Sequence, residues 1–175
     1  MNLEDCLNYV GLPVTDAKVK QLLADLGCTK EPKCKKSEPD YDFVSQKYKV
    51  ELLFKDEDYL KSNTENCVYG LAPLVLQAIN LPMQGYSGGY PNNFVQLPNG
   101  INVGMSRDEV LSKMIKPSKT IEANGKVRND QWLYNAGRIY IAYNPELIIK
   151  NITIVTTNYD WFLSDLFLTK NMRFY

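Results

Sequence analysis

The chain has 175 residues, 45% of them hydrophobic and 23% charged, a balance that supports a packed core and excludes a disordered or fibrous polymer. Lys plus Arg and Asp plus Glu both total 20, so no net field draws the molecule to nucleic acid or an anionic membrane, and a partner must be recognised locally. No run of about 18 apolar residues offers a membrane span.

The N-terminal segment Met1 to Cys6 carries Glu4 and Asp5 where a secretory signal needs basic residues and then an apolar stretch, so the expected compartment is the cytoplasm. Cys6, Cys28, Cys34 and Cys67 are accordingly expected as reduced thiols. A short helix is predicted from Leu3 to Val10, stopped by Gly11-Leu12-Pro13. A second runs from Asp16 to Leu26, where Val19, Leu22, Leu23 and Leu26 recur at helical spacing behind Thr15 as N-cap, with Gly27 ending it. Strand-like segments rich in aromatic and β-branched residues follow: Phe43 to Ser45, Tyr48 to Phe54 and Leu74 to Leu81.

Pro82 to Gly100, rich in Gly, Pro, Asn and Tyr, reads as an irregular connector. Beyond it, Ser106-Arg107-Asp108-Glu109 is an S-x-x-E capping box opening a helix whose apolar face is Val110, Leu111 and Met114. Strands are predicted at Trp132 to Tyr134, Arg138 to Tyr143 and Leu147 to Ile154. The tail from Tyr159 to Leu168 is too apolar for a free terminus and is expected to dock on the core or a partner.

The two halves correspond in order. Thr15 and Ser106 stand 91 residues apart, as do Val19 and Val110; Phe43 and Trp132 stand 89 apart, as do Phe54 and Tyr143; Leu74 and Leu147 stand 73 apart, as do Ile79 and Ile152. This points to an internal duplication. The expected fold class is therefore α+β: two diverged helix-plus-antiparallel-sheet units, residues 1–81 and 101–175, joined by the connector 82–100 and packed either as two units or as one domain.

Gly104-Met105-Ser106-Arg107-Asp108-Glu109-Val110, Trp132-Leu133-Tyr134, Ile139 to Tyr143 and Ile148 to Ile154 together resemble the repeat shared by BamE-like (SmpA/OmlA) lipoproteins and the β-lactamase inhibitor protein. The resemblance covers about Leu97 to Val155 well and Leu12 to Leu81 weakly. It implies two helices packed on a small antiparallel sheet. BamE-like lipoproteins carry a lipidated cysteine behind a hydrophobic signal, whereas Cys6 here follows Asn2-Leu3-Glu4-Asp5, so the lipoprotein role is not implied. Cytoplasmic proteins with tandem versions of the unit are similar to immunity proteins encoded beside bacterial toxins of type VI and contact-dependent systems.

The chain has no histidine, which excludes Ser-His-Asp, Cys-His and H-E-x-x-H sites. Carboxylate-only catalysis through Asp56-Glu57-Asp58 or through Asp130, Asp160 and Asp165 is the enzymatic alternative, and an envelope scaffold or adaptor the other. Cys28 and Cys34 lack zinc spacing, and the glycine-rich stretch at residues 85–89 lacks the Lys-Ser/Thr of a phosphate loop. The expectation is a non-enzymatic protein with no metal, no cofactor and no small-molecule substrate, its partner a cognate toxin. The expected partner surface comprises the aromatics Tyr86, Tyr90, Tyr140 and Trp161, which bury area at low entropy cost, and the acids Asp56, Glu57 and Asp58 as steering charges.

Overall fold

The computed structural model of the protein describes residues 1–62, 68–82, 95–102, 104–134 and 137–157. These form helices α1 (Leu3–Tyr9), α2 (Ala17–Asp25), α3 (Glu57–Ser62) and α4 (Arg107–Lys113). They also form strands β1 (Asp40–Ser45), β2 (Val50–Asp56), β3 (Leu74–Pro82), β4 (Lys119–Ala123), β5 (Lys126–Tyr134), β6 (Gly137–Tyr143) and β7 (Ile149–Thr156). All seven strands belong to one antiparallel sheet in the order β1-β2-β3-β7-β6-β5-β4.

The expected α+β class of two helix-plus-sheet units is corrected by this arrangement: one continuous sheet dominates, and the described helices have only six to nine residues. The reason lies in β3 and β7. Every residue of β3 is buried, and all of β7 except Lys150, so neither strand can serve as a solvent-facing edge. They pair with each other from Ala78↔Val155 to Pro82↔Asn151 and fuse the meander β1-β2-β3 with the meander β4-β5-β6-β7. Helices of two turns lie on that sheet as a partial cover, held by their buried faces rather than by their own propensity.

The sheet register also revises the correspondence between the halves. The bulges at Leu53/Phe54 and Ala142/Tyr143 lie 89 residues apart, and the residues they leave unpaired, Gln77 and Lys150, lie 73 apart. Phe43 and Trp132 do not correspond, because Phe43 pairs with Leu52 while Trp132 pairs with Ile139. Register places Ser45 opposite Val50 in the position Trp132 takes opposite Ile139. Both side chains donate to a carbonyl just beyond the preceding helix: Ser45 Oγ to Leu26 at 2.9 Å, Trp132 Nε1 to Ile115 at 2.8 Å.

Local signals set the element ends. Asn2 and Asp5 exchange two 2.8 Å backbone bonds in a capping box that opens α1, and Ser106 with Glu109 does the same for α4. Asp16, not Thr15, caps α2, accepting from the Lys18 N–H at 2.8 Å. Strand β4 was not predicted, although Asn124-Gly125, with φ of +55° and +69°, is the turn that a two-residue hairpin to β5 requires.

The main core lies between the helices and one sheet face, with Val19, Leu22, Leu52, Val110, Trp132, Ile141 and Ile152 almost fully buried. Cys6 of α1 is wholly inside it; Cys6, Cys28 and Cys34 are free thiols, and Cys67 lies outside the described residues. Burial, with a contribution from Asp5, pushes the Cys6 thiol up from 9.0 to about 12. The folded state therefore keeps this proton longer than the unfolded chain. Its stabilising contribution is complete below pH 9 and is lost as pH rises toward 12. Thermal midpoints are expected to fall through that window, less steeply in Cys6→Ala; parallel curves for the two proteins would count against this linkage.

Candidate functional site

The acids expected at a partner surface are mostly tied into the fold. Asp56 is 1% exposed. Its Oδ1 accepts from the backbone N–H groups of Asp58 and Tyr59 at 3.0 and 3.3 Å, opening α3, and its Oδ2 accepts from the Gly70 N–H at 2.9 Å and the Cys34 thiol at 3.8 Å. A carboxylate surrounded by its own donors is an anchor that ties Gly70 and Cys34 to the start of α3, so the expectation that Asp56 steers a partner is corrected. Glu57 is half-buried and pairs with Lys61 at 2.9 Å, while Asp58 is exposed. Burial and the Asp56 charge push the Cys34 thiol up, the reverse of what a nucleophilic cysteine needs.

Tyr140 was expected on an outward sheet face and is only 3% exposed. It does lie on the face opposite the main core, but packs there with Ala78, Val155 and Leu53. Glu51, Asn80, Thr153, Tyr140 and Gln131 are successive register partners across this face. Asn80 donates to Glu51 Oε2 at 2.7 Å and accepts from Thr153 Oγ1 at 2.9 Å and from Asn151 Nδ2 at 3.1 Å. These buried polar bonds pin the β2-β3-β7 register, since a one-residue slip would break them all. Tyr86, Tyr90 and Trp161 lie outside the described residues.

A different place on the molecule has the properties of a binding surface. An open groove of about 520 Å³ lies between α4 and the chain entering β4. Three cations, Arg107, Lys116 and Lys119, line it together with the hydroxyls of Ser118 and Thr120, and Leu111 and Pro117 supply apolar wall. Among the described residues no carboxylate lines it. Asp130, 0% exposed, accepts from Arg107 Nε at 2.8 Å and Nη2 at 3.2 Å, and from Thr120 Oγ1 at 2.5 Å. The Asp130 hydrogen bonds push the Arg107 guanidinium further up, so it stays charged under all ordinary conditions. Burial and the Asp130 charge also push the neighbouring Tyr143 phenol up, keeping it neutral.

Lys116 and Lys119 are exposed and have no ion pair among the described residues. Ile115, next to Lys116, is 76% exposed, and Leu133, whose N–H donates to Ser118 Oγ at 2.9 Å, is 56% exposed. β4 is the outermost strand here and largely solvent-facing. The sequence reading did not single out this region. Its signal was present as local charge, five cations against Glu122 alone between Lys113 and Arg128, hidden by the overall neutrality of the chain. The Asp130 contact, 23 residues from Arg107, had no such local trace.

Among the described residues no group of three His, Cys, Asp or Glu side chains is placed to hold a metal ion, and no helix is long and apolar enough to cross a membrane. No protein family, curated protein or solved structure matches the chain.

Proposed function

We propose that this protein works in the cytoplasm as an immunity protein, binding a cognate bacterial toxin stoichiometrically and doing no chemistry of its own. The resemblance of the second half supplies the functional class. The observation that carries the surface is the basic groove beside α4, lined by the exposed Lys116 and Lys119 with Leu111 and Pro117. Apolar wall beside lysines that make no ion pair among the described residues, next to an outer strand, is a composition through which a protein recognises another protein, apolar contact giving affinity and the charges giving rate and selectivity.

The test is co-expression with the product of the neighbouring toxin gene. Wild type is expected to protect cells, and Lys116→Glu/Lys119→Glu to protect poorly, with association slowed about tenfold and less sensitive to salt. Both lysines are exposed, so the variant's unfolding midpoint is expected to match wild type. A wild-type chain that neither protects nor binds the toxin defeats the reading. Full protection by the folded double variant places the interface elsewhere.

A further inference from the structure

Resting on that reading, we infer that the groove receives an acidic, extended segment of the partner protein, with Arg107 as the fixed anchor for one of its carboxylates. Arg107 projects from the first turn of α4, and its Nε and Nη2 are held by the buried Asp130. The guanidinium plane is therefore set before any ligand arrives, and Nη1 makes no hydrogen bond among the described residues. A planar guanidinium with free donors matches a carboxylate, and pre-setting it lowers the entropy lost on binding.

Charge argues for an anionic occupant: three cations line the groove, and Asp130 offsets only Arg107, leaving the excess to Lys116 and Lys119. Shape argues for a chain segment. The groove is open rather than enclosed, and at about 520 Å³ it has room for several side chains, where a lone phosphate would fill a small part. Leu111 and Pro117 offer apolar wall to the aliphatic stems of Glu side chains, while the exposed Ser118 and Lys119 stand at the mouth.

The full chain is to be titrated with a blocked hexaglutamate peptide, with hexaglutamine of equal length, and with inorganic phosphate, following backbone amide shifts by NMR. Hexaglutamate is expected to shift Arg107, Leu111, Ser118 and Thr120, and to release as salt is raised. Hexaglutamine is expected to leave these amides in place. Lys116→Glu/Lys119→Glu is expected to weaken hexaglutamate binding about tenfold or more, and Arg107→Lys, which keeps the charge but loses the fixed fork, to weaken it as well. Phosphate binding as tightly as the peptide at the same amides overturns the proposal in favour of a small-anion site. Peptide shifts elsewhere, or none, overturn it outright. The two readings fail separately: peptide binding with no protection defeats the immunity role alone, and protection with no peptide binding defeats the groove occupant alone.

Discussion

Val110→Asp is expected to leave the protein unfolded at neutral pH. Val110 is 0% exposed and is the one residue of α4 wholly inside the main core. A carboxylate there has no partner, and an unpaired buried charge costs several kcal/mol against a domain stability of ~5–15 kcal/mol. The penalty falls on the ionised form, so the pKa of the introduced acid is raised in the folded state. Some stability is therefore expected to return as pH falls, before general acid unfolding sets in. Circular dichroism and a denaturant titration across pH check this. A wild-type midpoint at neutral pH would mean that α4 does not seat this face on the sheet.

Gly137→Ala is expected to be strongly destabilising, more so than alanine at Gly27, Gly70, Gly100, Gly104 or Gly125. A Cβ on Gly137 would stand 2.5 Å from the Val155 carbonyl oxygen and 2.9 Å from Leu7 Cδ2. The first obstacle is backbone of the neighbouring strand and cannot rotate away; the second belongs to α1. Gly137 pairs with Thr156 at the start of β6, so relief requires either opening the β6-β7 pairing or lifting α1. Overpacking of this kind costs about 1–3 kcal/mol, and the backbone contact puts this site at the upper end or beyond. A useful contrast is Gly104→Ala, where nothing lies within 4 Å and only the positive φ of +83° resists the side chain, at about 1–2 kcal/mol. The midpoint loss is expected to be larger at Gly137, with faster amide exchange in α1. The opposite ranking would show that α1 is not pressed against β6.

Both substitutions act through contacts that differ in how far they could be read beforehand. The α4 capping box and the apolar spacing around Val110 are local features, and the helix forms where they indicated, from Arg107 to Lys113. The role of Gly137 is set by Val155 and Leu7, 18 and 130 residues away, and no pattern around residue 137 announces it. The same division separates the site residues. Asp56 stands in a run of acids that reads as a solvated loop, yet Gly70 and Cys34 close over it. Tyr140 alternates correctly to the second face and is buried there against Ala78 and Val155, which come from strands β3 and β7. The groove was legible only as a local excess of lysine and arginine between residues 113 and 128, without the buried Asp130 that holds Arg107 in place.

The sequence by itself determined the positions of α1, α2 and α4 but not α3, the capping box of α4, most strand positions, the lack of histidine-based chemistry and the even charge balance. Each depends on residue type or on interactions within about four positions, which periodicity and capping patterns record directly. Only the tertiary structure decided that the two strand sets fuse into one sheet, that Asp56 and Tyr140 are interior, and that Arg107 is fixed beside a groove. Those outcomes depend on pairings such as Asn80 with Thr153, 73 residues apart. Strand order and burial are properties of the assembled layer, and a chain carries no local mark of which distant segment will come to lie beside it.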